Sequence, residues 1–146
     1  MKYPFCLIFA LCLISIFTCS NDDVTDVAPD MKCDESVQII PEGFHTLEPI
    51  EHTVNGITIE EECLNATIGG SGCDGSTWVI ELIDSGEIAE SLPPQRFLKF
   101  RFINDEECDA VVETDVSFDI TDLRLEDGNE ILLNVQGFDQ RLSYKY

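Results

Sequence analysis

Thr77-Trp78-Val79-Ile80-Glu81-Leu82-Ile83 is β-branched, aromatic or aliphatic at every position but one. Such residues fit a pleated, half-buried strand. Alternation puts Trp78, Ile80 and Leu82 on one face and Thr77, Val79, Glu81 and Ile83 on the other. A second run, Arg96-Phe97-Leu98-Lys99-Phe100-Arg101-Phe102-Ile103, repeats the pattern. Leu98, Phe100 and Phe102 share a face, and Phe97, Lys99, Arg101 and Ile103 take the other. Three basic residues, Arg96, Lys99 and Arg101, sit on this run. In so acidic a chain they are expected to lie across from acids on adjoining strands. An anion-binding strip is the sharper alternative, but no phosphate-cradling loop accompanies it.

Around these two runs lie shorter ones. Val37-Gln38-Ile39-Ile40 is a short strand and Pro41-Glu42-Gly43 a turn. Pro49 argues against a helix in the stretch beyond that turn. Asn55-Gly56 is a hairpin signal between residues 51–54 and 57–59. Residues 69–75 hold four glycines and read as a loop. Asp84-Ser85-Gly86 reads as a turn, residues 87–92 as one helical turn, and Leu92-Pro93-Pro94 as a rigid lead-in. Val111-Val112, residues 116–120, 131–135 and 142–146 complete the strands, with Asp127-Gly128 as a hairpin signal after Leu123-Arg124-Leu125. No stretch sustains a helical period over eleven or more residues. The chain is therefore expected to be all-β, with seven or eight strands in a small antiparallel barrel or a β-sandwich.

The first eighteen residues are of another kind. Lys2 precedes an apolar run from Phe5 to Phe17, the pattern of a secretory signal peptide. The run is shorter than the roughly 20 residues needed to span a bilayer. It ends at Cys19, and Ser20-Asn21-Asp22-Asp23 comes at once. Residues 19–35 hold many acids and few large apolar groups, which reads as a flexible tether. Residues 36–146 make a single domain.

Net charge is −21, from 8 Lys and Arg against 29 Asp and Glu. Losing Lys2 with the leader leaves 7 basic residues and a charge of −22. That balance opposes a nucleic-acid partner, which needs clustered basic residues. Attraction to an anionic lipid surface is opposed likewise.

Seven cysteines are present. Cys6 and Cys12 fall in the leader. Cys33, Cys63, Cys73 and Cys108 are an even number in an exported domain, the signature of two disulfides with three possible connectivities. Cys73 and Cys108 both sit in strand-end turns. That favours Cys73 with Cys108, leaving Cys33 with Cys63. Zinc is disfavoured, because no Cys-x-x-Cys occurs and His45 and His52 lack paired spacing.

The end of the leader resembles that of a bacterial lipoprotein. Cys19 stands where the lipidated cysteine of that class stands, although Phe17 and Thr18 replace the small residues of the strict motif. The relaxed motifs and acidic continuations of Bacteroidetes lipoproteins are closer. The resemblance implies cleavage before Cys19, multiple acylation of that residue, and a lipid-anchored protein of the cell envelope, outer membrane or cell surface. Acids just after the cysteine, here Ser20 to Asp23, resemble a surface-export signal of that phylum. The body is similar to small exported lipoproteins of the same phylum in Cys73-Asp74-Gly75, Trp78 to Leu82, Leu92-Pro93, Phe97 to Ile103 and Cys108. This likeness spans residues 63–136. It implies an OB-like barrel for some relatives, and a function generally unassigned.

No catalytic constellation stands out. Gly-x-Ser-x-Gly, His-Glu-x-x-His and P-loop motifs are absent. Gly69-Gly70-Ser71-Gly72 lacks the Lys and helix start of a phosphate loop. His45 and His52 are isolated and read as surface residues. Asp105, Glu106, Glu107 and Asp109 form one acidic cluster; Glu126, Asp127, Asn129 and Glu130 form another. Such loops can ligate calcium, but neither has EF-hand spacing and a solvated turn is the plainer reading. Asn65-Ala66-Thr67 matches the glycosylation sequon, incidentally so in a bacterial chain. The expectation is a lipid-anchored, non-catalytic binding or accessory module with a protein or glycan partner, without metal or cofactor. The alternative is a soluble secreted β-domain binding calcium or another ligand through acidic loops.

Overall fold

A computed structural model describes residues 32–47 and 51–146. The leader, Cys19, most of the tether and Pro49 lie outside the described residues. Among the described residues nine strands form two sheets. They are β1 (Glu35–Ser36), β2 (Gln38–Ile39), β3 (Thr53–Glu60), β4 (Cys63–Gly72), β5 (Val79–Ala89), β6 (Gln95–Ile103), β7 (Ala110–Asp119), β8 (Glu130–Val135) and β9 (Leu142–Lys145). One sheet has the order β1-β7-β4-β3 and the other β2-β5-β6-β8-β9. The fold is all-β as expected, and of the two architectures it is the sandwich.

The apolar run at residues 77–83 enters β5 at Val79 and the run at 96–103 lies in β6, and the two strands pair antiparallel with Ile80 opposite Phe102 and Leu82 opposite Phe100. Their apolar faces turn inward as alternation requires. Ile80, Leu82, Leu98, Phe100 and Phe102 are buried with Leu64, Ile68 and Phe118 of the other sheet. The rings of Phe100 and Phe118 meet across the sandwich at 6.0 Å. Trp78 stands edge-on to Phe102 at 4.9 Å, a favourable aromatic geometry.

The outer face of β5 and β6 is partly covered too. A 3-10 turn, Phe44–Thr46, lies against β5. Lys99 is buried beneath it, 4.6 Å from the centre of the Phe44 ring. Its ammonium donates to the Phe44 and Leu47 carbonyls, so one cation is held by a ring face and two dipoles.

Several expectations need correction. The sheets are mixed rather than antiparallel, because β1 with β7, β2 with β5, and β6 with β8 run parallel. Between β6 and β8 the chain passes through β7 of the opposite sheet, the long crossover that a parallel pair requires. Asn55-Gly56 is no turn: β3 runs through it with a bulge between Val54 and Gly56. The hairpin turns at Glu61-Glu62 instead, with Glu61 at φ 53°. Asp84-Ser85-Gly86 lies inside β5, where the register shifts between Asp84 and Ile88. Residues 87–89 continue that strand, so no helical turn forms. Asp127-Gly128 precedes β8, whose partners are β6 and β9, and residues 121–123 form a 3-10 turn. Glycine signals bulges as well as turns, and local sequence does not separate the two.

The body also begins before residue 36. Cys33 is buried, and Asp34 exchanges hydrogen bonds with Ser117 of β7. Val37 is buried where the chain crosses from β1 in one sheet to β2 in the other.

Candidate functional site

The two disulfides join Cys33 to Cys63 and Cys73 to Cys108. The first bond ties the entering chain to the start of β4. The second ties residues 73–77, which link the two sheets, to the segment before β7.

Around that second bond the acids take on a structural role. Glu106 turns its carboxylate onto residues 73–77. Oε2 accepts the N–H groups of Cys73 at 2.5 Å, Asp74 at 3.2 Å and Gly75 at 3.2 Å. Oε1 accepts the Thr77 hydroxyl at 2.9 Å. Desolvation pushes this carboxyl up, but the Cys73 and Gly75 N–H groups and Thr77 outweigh it and hold it at about 2. Asp74 turns back to accept the Ser76 N–H at 3.0 Å.

Glycine makes this close packing possible. The predicted glycine loop is strand as far as Gly72. A Cβ on Gly70 would lie 3.0 Å from the Phe102 ring. One on Gly72 would lie 2.5 Å from Glu106 Oε2 and 2.9 Å from the Trp78 ring. These glycines give room to Trp78 and Glu106.

The basic residues of β6 are all engaged. Arg101 pairs with Glu81, its register partner on β5, at 3.0 Å. Arg96 pairs with Asp84 at 2.8 Å, both side chains buried on the inner face. Arg96 also donates to the Leu123 carbonyl at 3.0 Å, joining β6 to the connection between sheets. Burial pushes the Asp84 carboxyl up, against the Gly86 N–H and Arg96. Asp84 Oδ2 is buried with no hydrogen-bond partner among the described residues. Arg96 and Arg101 thus have the expected acidic partners, and Lys99 donates to the Phe44 and Leu47 carbonyls.

The other candidate residues lie apart. His45 is exposed, 3.7 Å from Glu87 Oε1, and His52 rests 5.8 Å from the Phe102 ring. Glu130 accepts the Ser143 hydroxyl at 2.6 Å. Asn65-Ala66-Thr67 lies within β4, with the Thr67 hydroxyl donating to Asp115. Among the described residues no three His, Cys, Asp or Glu side chains converge as a metal ion would need. Both oxygens of Glu106, the central acid of the proposed calcium cluster, face loop donors.

What sequence reasoning missed is a cleft of about 470 Å³ between the sheets on the β1 and β2 side. Its floor holds Trp78, Ile80, Val116 and Phe118, and its rim Asp34, Glu35, Glu81 and Asp115. It exists because β1 and β2 are two residues each and close the sandwich at one end only. The short, interrupted apolar run at residues 37–40 was its only sequence signal.

No protein-family model matches the chain, and no curated protein matches it. Two solved structures are similar to it. One is a protein of unknown function, DUF1344, from Bacteroides vulgatus: 18% identity over 76% of this chain and 56% of the other, TM-score 0.48. The second, from Parabacteroides distasonis, is described as toxin-related: 20% identity over 77% of this chain and 58% of the other, TM-score 0.49. The chain thus spans little more than half the length of either.

Proposed function

We propose that this chain is a lipid-anchored protein of the cell envelope or cell surface whose sandwich is a non-catalytic binding module. The cysteine pairing carries the reading. Cys33, Cys63, Cys73 and Cys108 bond to one another, as befits a compartment outside the cytoplasm. No cysteine of residues 20–146 is then left to pair with Cys19, which stands where the leader ends. Acylation there would moor the domain with no membrane-spanning helix, since two or more acyl signals give stable anchoring.

The open cleft supports the binding role: it is an apolar floor inside an acidic rim, at a side the fold leaves unclosed. Metabolic labelling with a fatty-acid analogue tests the anchor. The wild-type chain should take up label and fractionate with membranes, and Cys19→Ala should lose both. Absence of label from the wild type, with Cys19→Ala unchanged in location, would overturn the anchor.

A further inference from the structure

We propose that the unpaired edge of β7 accepts a strand from another protein, an extended segment in which apolar and basic side chains alternate. This deepens the binding-module reading and is independent of the lipid anchor.

β1 pairs only with Phe118 and Asp119 of β7, and β2 only with Ile83 and Asp84 of β5. Among the described residues, Ala110 to Val116 therefore have no strand partner on that side. The bonded end of β7 shows which way its peptide groups turn. The Ser117 N–H donates to Asp34, and the Asp119 carbonyl accepts the Val37 N–H. Alternation then directs the peptide groups of Val111, Glu113 and Asp115 to the same open side. An unpaired row of N–H and C=O groups is a template for an added strand.

The cleft supplies the matching side-chain environment. Inward side chains of the guest would rest on Trp78, Ile80 and Val116. Outward ones would line up beside Glu113 and Asp115, both exposed. Val111, 90% exposed, offers one further apolar neighbour. No Lys, Arg or His is among the described residues lining the cleft.

Charge selects the occupant. A second copy of this chain would bring a net −21 and its own row of acids. Residues 20–31 of the chain carry four Asp and no basic residue. Both are repelled, whereas a cationic segment is drawn in. The acids that keep identical edges apart are thus those that admit a basic strand.

The test uses the full chain in detergent and a nine-residue amidated peptide alternating lysine and valine. Trp78, the sole tryptophan, lies in the cleft and reports by its emission. The peptide should give a saturable change in that emission and slow amide exchange at Val111, Glu113 and Asp115 by at least about tenfold. Asp115→Pro takes away one outward N–H and no backbone bond to β4, along with the carboxylate that accepts the Thr67 hydroxyl, and should weaken binding by about tenfold or more. The double variant Glu113→Lys/Asp115→Lys keeps every N–H and should do the same, which covers a failure of the proline variant to fold. Peptides with glutamate for lysine, or proline for valine, should not bind. No saturable change, protection elsewhere, equal binding of either control peptide, or full binding by the charge-reversed variant would overturn the proposal. Labelling at Cys19 reads none of these quantities, so the anchor and the strand site stand or fall separately.

Discussion

Glu106 and Cys73 are tied twice: the Glu106 carboxylate accepts the Cys73 N–H at 2.5 Å, and Cys108, two residues on from Glu106, is bonded to the Cys73 sulfur. The folded-state pKa of Glu106 is about 2, below its ordinary value of 4.5. A lowered carboxyl pKa contributes stability above the unfolded value, and that stability is lost as pH falls through the folded one. Thermal melts of the wild type should therefore lose stability from pH 4.5 down to 2. Glu106→Ala should melt a few degrees lower at pH 7 and show a shallower loss across that window. Parallel pH profiles would contradict the assignment.

Asp84 and Arg96 predict a different result. Their ion pair lies on the inner face, so removing one partner strands a buried charge. Arg96→Met should cost about 3–5 kcal/mol in denaturant unfolding. Asp84→Leu with Arg96→Met should recover most of that loss, since a buried pair can be replaced by apolar side chains at little cost. Because the Asp84 pKa is raised, its contribution lies on the acid side and opposes the acid loss at Glu106.

Two glycines separate close packing from mere punctuation. Gly72→Ala would press a methyl group against Glu106 and Trp78 and should cost about 1–3 kcal/mol. Gly56 has nothing within 4 Å of where a Cβ would stand. Gly56→Ala should leave stability unchanged or raise it by up to about 1 kcal/mol. Urea unfolding of the two variants checks the contrast.

The disulfides join residues 30 and 35 positions apart. Loops of that length give about 2–4 kcal/mol for each bond. Reductant should lower the melting temperature by more than about 10 °C. Equal melting with and without reductant would show that the bonds do not brace the fold.

The legible parts of the fold were those where side-chain period and burial agree. Leu98, Phe100 and Phe102 alternate with polar neighbours, so their face came from spacing alone. The Cys73–Cys108 bond is legible too, because turn-like flanks place both cysteines at strand ends. What local sequence hid was set by distant partners. Asp84-Ser85-Gly86 has turn chemistry, yet Arg96, twelve residues on, keeps Asp84 within the sheet. Glu106 looked like a solvated acid because its donors lie 29 to 33 residues earlier. Parallel pairing of β6 with β8 depends on a crossover through the other sheet, which no local period records. The open edge on β7 reflects how little of it β1 covers, a tertiary fact.

The most direct test of the account is the intact mass and first residue of the mature chain, taken from membranes without reductant. The account predicts a chain beginning at Cys19, heavier by its acyl groups and lighter by the four hydrogens that two disulfides remove. An unacylated chain, or one beginning at another residue, would contradict it.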